Sequence, residues 1–188
     1  MFSITNKAAR VFLSSLAVIS ITAGLMGGCS KDEPKSAGVE LEIVPGVLPA
    51  VVKQIPLASV FSELLEASSL KATSSTTTKF TYFLPTDQAV GDYLSAKGTT
   101  KEALIANVVQ LNAFVGAHVT SGEVTATNLL NRTEESLPMV SGLSVVIGKS
   151  KEGQVTLTAS AGGLSTLIAI DVAATNGLLH LVDHVLVP

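Results

Sequence analysis

Apolar residues recur along this chain at two different intervals, and the change from one to the other divides it. An almost unbroken apolar run comes first, from Val11 to Met26, interrupted only by small hydroxyl residues and Gly24 and ending in Gly27-Gly28-Cys29. Ser30-Lys31-Asp32-Glu33-Pro34-Lys35-Ser36 follows; it has nothing to bury and reads as a tether. From Ile55 the spacing becomes helical. Pro56 suits a first turn, and Leu57, Val60, Phe61, Leu64 and Leu65 fall on one face, which predicts a helix ending near Ser68 to Leu70. The run Thr73-Ser74-Ser75-Thr76-Thr77-Thr78 is low in complexity and reads as an exposed loop.

Phe80 to Leu84 is aromatic and β-prone and is stopped by Pro85, so it predicts a strand. Thr86 or Asp87 then supplies a capping oxygen for a helix running towards Tyr93 and Leu94. Thr99 and Glu102 stand at capping-box spacing ahead of Leu104, Ile105, Val108, Val109 and Val115, which predicts a further helix. Beyond this the period falls to two. Leu143, Val145 and Ile147 alternate with polar residues, Gly148 to Gly153 makes a turn, and Val155, Leu157 and Ala159 alternate again, so 143–159 predicts a hairpin. Leu164 to Val172 is a further strand. Asn176-Gly177 suits a tight turn, and Leu178 to Val187 is apolar on both faces apart from His180, Asp183 and His184. Helices first and strands last make the class α+β.

The 188 residues contain 47% hydrophobic and 14% charged residues, with a mean hydropathy of +0.50. That balance excludes a disordered chain and calls for an explanation of the apolar surplus. Part of it is the N-terminal run. Lys7 and Arg10 before a short apolar stretch with small residues at its end describe an export signal, and the run is shorter than the roughly 20 residues a spanning helix needs. The chain's one cysteine, Cys29, ends this run with no possible disulfide partner. Leu25-Met26-Gly27-Gly28-Cys29 resembles the lipobox of bacterial lipoproteins, with Met26 where Leu is commonest. The resemblance implies cleavage before Cys29 and acylation of its thiol and new amino group, an anchor of several chains and hence lasting. Loss of residues 1–28 removes Lys7 and Arg10 but no acid, leaving ten bases against fifteen acids, a net charge of −5. The run after Cys29 is similar to the acidic signal that sends some lipoproteins to the outer face of the outer membrane; the periplasmic face is the alternative. The expected organisation is thus a removed signal at 1–28, an acylated tether at 29–54 and one domain at 55–188.

Candidate chemistry adds little. The basic residues are scattered and Trp is absent, which argues against nucleic acid as a partner. His180-Leu181-Val182-Asp183-His184 superficially matches a zinc motif, but on a strand its two histidines would lie about 13 Å apart, too far for one metal. Gly142 to Ser150 has one residue too many for a phosphate loop and lies in a hairpin. No nucleophile elbow or dinucleotide fingerprint occurs, and no cofactor or catalytic constellation is expected.

Two segments carry a family resemblance. Phe80-Thr81-Tyr82-Phe83-Leu84-Pro85-Thr86-Asp87-Gln88-Ala89-Val90 resembles the first signature of fasciclin domains, and Ala174 to Pro188, containing Asn176-Gly177, His180 and Asp183, resembles the second. They stand in the right order, and the resemblance covers Ile55 to Pro188. It implies a wedge-shaped β-sandwich with helices packed on one side, acting in adhesion or in binding extracellular protein or glycan. A polysaccharide- or small-molecule-binding accessory lipoprotein is the second reading. Pro85, Thr86, Asp87, Asn176, Gly177, His180 and Asp183 are expected to be structural, the two last needing polar partners if buried. In animal members, partner binding is assigned to a Tyr-His segment and an Asp-Ile pair. Ala117-His118 and Asp171-Val172 stand at those places here, so His118, Asp171 and Val172 are the candidate partner-binding residues.

Overall fold

The computed structural model describes residues 44–74, 77–160 and 163–187. The expected export signal, Cys29 and the first part of the expected tether lie outside the described residues. Seven strands form one sheet in the order β2-β1-β7-β6-β5-β4-β3. At its centre β1 (Phe80–Pro85) pairs in parallel with β7 (Gly177–Val182), and β2 (Val119–Ser121) lies antiparallel on the other side of β1. The long β6 (Leu164–Ala174) passes from β7 to β5 (Val155–Ala159) and thereby joins the two halves, which β4 (Ser144–Lys149) and β3 (Ser136–Pro138) complete. The two end strands are tied back to each other. Thr120 Oγ1 donates to Pro138 O at 2.8 Å and Val140 N to Val119 O at 2.8 Å, so the sheet nearly closes and its edges are not left to pair with other chains.

Alternation along the central strands separates two hydrophobic clusters. Phe80, Tyr82 and Leu84 of β1 and Leu179 and Leu181 of β7 face one cluster with the helices, whereas Phe83 and Val182 face the other, between the halves of the sheet. The helical side is built from α1 (Leu48–Val52), a 3₁₀ turn at Pro56–Ala58, α2 (Ser59–Ala67), α3 (Leu70–Ser74), α4 (Asp87–Ala96), α5 (Lys101–Ala106) and α6 (Val108–Gly116). Helix α7 (Ala126–Asn131) instead inserts Leu129 into the second cluster. This is the α+β sandwich with helices on one side that the resemblance implies.

Several expectations are corrected. Residues 48–52, expected within the tether, form α1, and Leu48, Val51 and Val52 are wholly buried in the helical cluster. Five residues with Pro49 near their start are too few to show a helical period. The helix predicted across Thr99–Val115 is two helices. Asn107 leaves helical geometry at φ −99°, ψ 86°, and its Oδ1 accepts from Gln110 N to start α6. Thr100 rather than Thr99 caps α5, by accepting from Ala103 N. The capping box of the fold is Thr125 with Asn128, at the start of α7. The strand expected at Leu164 to Val172 runs on to Ala174, and its Leu164, Ile168 and Ile170 are exposed. The run at 73–78 begins as the end of α3, and Leu57 faces solvent.

Candidate functional site

The signature segments meet at the centre of the sheet, where backbone polar groups that leave the ladder need partners. Thr86 follows β1 and caps α4, its Oγ1 accepting from Ala89 N at 3.2 Å. Asp87 does different work. Its carboxylate accepts from Ser59 Oγ (2.6 Å) and Val60 N (2.7 Å), so a negative charge sits at the start of α2 where the helix dipole favours it. Pro85 is level with Val182 of β7 and ends the strand, after which Thr86 N bonds back to Val182 O.

At the other end of the same strand pair, Asn176 Oδ1 accepts from Leu48 N at 2.8 Å, the first amide of α1, while Thr175 N donates to Gly46 O. The turn before β7 therefore clasps the N-terminal helix. Gly177 is required there by crowding, since a Cβ would lie 1.9 Å from Phe80 O.

Two histidines are wholly buried and each bridges two backbone groups. His180 sits in the second cluster, stacked on Phe83 with centroids 5.4 Å apart. Its Nδ1 accepts from Asp171 N (3.2 Å), which puts the proton on Nε2, and that nitrogen donates to Val124 O (2.8 Å). His118 lies on the helical side, edge-on to Phe61 and beside Phe114. Its Nε2 accepts from Leu186 N (2.9 Å), so Nδ1 carries the proton and donates to Phe114 O (2.8 Å). Burial pushes the His118 imidazole down to about 4, against the opposing bond to Phe114. Burial lowers His180 as well, opposed by the bond to Val124 and the charge of Asp171.

Asp171 occupies a bulged stretch of β6 at φ 56°, a left-handed conformation that Asp tolerates better than most residues. Its Oδ1 accepts from Ala126 N (2.9 Å), the first residue of α7, and its own amide goes to His180. One residue, through its carboxylate and its amide, thus ties β6, β7 and α7 together. Val172 is half-buried and packs against the helical cluster. Asp183 receives Thr166 N at 2.6 Å and His184 Nδ1 at 2.9 Å. Burial by itself would raise its carboxyl, but these donors outweigh it and hold the group below the usual carboxylate range.

Of the three candidate partner-binding residues, Asp171 and Val172 lie on β6, whereas His118 is buried on the helical side against Phe61 and Phe114. His118 is enclosed and uses both ring nitrogens, so a partner docking on the folded domain has no access to its ring; that expectation is corrected. Sequence reading also missed Thr81, whose buried hydroxyl donates to Gly122 O and accepts from Val124 N, holding the loop that reaches His180. The signal was a hydroxyl residue amid Phe80, Tyr82, Phe83 and Leu84.

Part of what stays accessible near this framework is apolar. Leu164, Ile168 and Ile170 stand exposed along β6, and Leu164 is level with Thr158 of β5, which is level with the exposed Val146 of β4. Aliphatic and hydroxyl side chains, without a charge, make up this row.

Comparison with known proteins agrees with the architecture. The family model described as Fasciclin domain matches residues 56–188. Protein sll1483 of Synechocystis sp. is 30% identical over 129 residues, covering 68% of this chain and 62% of that protein, so the chain spans about three fifths of that curated relative. The FAS1 domain pair from the insect cell adhesion molecule Fasciclin I has a TM-score of 0.63 at 19% identity, over 77% of this chain and 52% of the other. At that identity the likeness is one of fold.

Proposed function

Because the chain belongs to the fasciclin domain family, we propose that it is a non-catalytic binding module of the cell envelope, anchored through acyl groups on Cys29 and adhering to an extracellular protein. The observation that carries this reading is the division of labour in the domain. The signature residues spend their polar groups on backbone partners, while β6 offers an uncharged aliphatic row beside Asp171-Val172. Interface centres are depleted of charge in the same way, so we assign partner contact to Leu164, Ile168 and Ile170. The Asp171 bulge shapes this surface through its hydrogen bonds without itself being the recognition group.

Display on the outer face of the outer membrane accords with the lipobox-like sequence and the Ser30-Lys31-Asp32-Glu33 run. Cys29→Ser releases the chain from membranes on this account; continued retention would refute the anchor. The function itself is tested by applying the purified chain to an array of matrix proteins and glycans. Saturable binding to a protein is expected, and binding to glycans with no protein ligand would defeat the adhesive reading.

A further inference from the structure

A groove of about 640 Å³ opens between the end of α4 and the start of α6, on the helical side and away from β6. Its size falls in the range of small-molecule sites, roughly 300–1,000 Å³. The floor is apolar. Leu104 and Phe114 are buried there, and Tyr93 packs on Phe114 with centroids 5.2 Å apart. Leu143 and Val187 contribute a further apolar wall.

Polarity is confined to a few groups. Gly98 ends α4 in a left-handed turn at φ 60°, and next to it Lys97 holds its ammonium 5.9 Å from the Tyr93 ring centre. Lys53, Lys71, Lys79 and Lys101 each meet a glutamate, whereas Lys97, like Lys149 and Lys151 on the β4–β5 hairpin, makes no ion pair among the described residues; of these three only Lys97 lines the groove. No acid lines the groove, and Thr99 and Gln110 are the other polar side chains in it. Helix α6 adds an apolar approach: Val108 and Val109 are 57% and 79% exposed, and Val109 lies one turn before Ala113, a lining residue.

One cation without a counter-ion, set at an apolar groove with an aliphatic approach, complements a molecule with one anionic head and one apolar chain. We propose that this groove binds a free single-chain anionic amphiphile of the fatty-acid type, its carboxylate at Lys97 and its chain over Tyr93, Leu104 and Phe114 towards Val109. A bilayer surface is the poorer fit, because binding to anionic lipid accumulates over several cations and the groove offers one. Sugars fit less well, since Thr99 and Gln110 are few partners for their many hydroxyls.

The test is a titration of the purified chain with decanoate and, separately, with uncharged 1-decanol. With no Trp and only two tyrosines, Tyr82 wholly buried, Tyr93 fluorescence reports the groove. Saturable changes are expected with both, decanoate binding roughly two- to fivefold more tightly, as a solvent-exposed ion pair allows. Lys97→Ala should abolish that preference without affecting decanol, and Ala113→Glu should abolish decanoate binding; both positions are exposed, so neither variant threatens the fold. No saturable change, an undiminished preference in Lys97→Ala, or binding to phosphatidylglycerol vesicles but not decanoate would each overturn the proposal. Because partner contact is assigned to β6, the two proposals fail independently.

Discussion

At the scale of single residues, the chemistry of this domain is decided by where its imidazoles lie. His118 and His180 each have an N–H aimed at their lone-pair nitrogen, from Leu186 and Asp171 respectively. Protonating either ring would set two donors against each other inside the core, so both are held neutral. The sign of the pH dependence follows. The folded His118 value of about 4 lies below the unfolded value of about 6.5, so the unfolded chain takes up protons first. The stabilisation is complete above pH 6.5 and is lost as the pH falls towards 4, amounting to about 3 kcal/mol for this group. His180 acts in the same direction. Urea denaturation at pH 7.5 and 4.5 measures it: a clear fall in unfolding free energy is expected, and equal values would contradict neutral buried histidines. His180 and Asp183 interrupt an apolar strand in the sequence, and each has hydrogen-bond partners in the fold. For His118 the resemblance pointed to the surface, and only the packing of Phe61 and Phe114 around it reveals the opposite.

At the scale of elements, the fold depends on short pieces that periodicity cannot register. Strands β1 and β7 were legible as β-prone apolar runs, β1 stopped by Pro85, and the β4–β5 hairpin as alternation around the turn from Gly148 to Gly153. Helix α1 was not, although Leu48, Val51 and Val52 complete the core and Asn176 caps the helix. The break at Asn107 was equally hidden, because Leu104, Ile105, Val108 and Val109 keep helical spacing across it. Burying three aliphatic side chains contributes about 4 to 9 kcal/mol before chain entropy is subtracted. A chain beginning at Ile55 should therefore melt well below one beginning at Ile43, if it folds at all. Thermal unfolding of the two fragments decides the matter, and matching melting temperatures would show that α1 is dispensable.

At the scale of the whole molecule, the hydrogen-bonded centre joins β6, β7 and α7. A nearly closed sheet protects its edges through Thr120 and Val140, the helices cover one side, and the outer row of β6 is left aliphatic and unpaired. This arrangement of family signature inside and exposed aliphatic residues outside was only half legible. Hydrophobic patterning located β6, but the bulges between Leu167 and Val172 decide which of its residues face solvent, and they arise from the fit to β7. On the proposed reading, partner contact runs through that row and not through the signature residues. It is tested most directly by measuring the affinity of the double variant Ile168→Lys/Ile170→Lys for a protein ligand bound by the parent chain, with Val108→Lys as the control. All three positions are exposed, so melting temperatures should match. The account predicts at least about a tenfold loss for the double variant, as for truncated interface anchors, and none for the control; equal affinity of the double variant and the parent would contradict it.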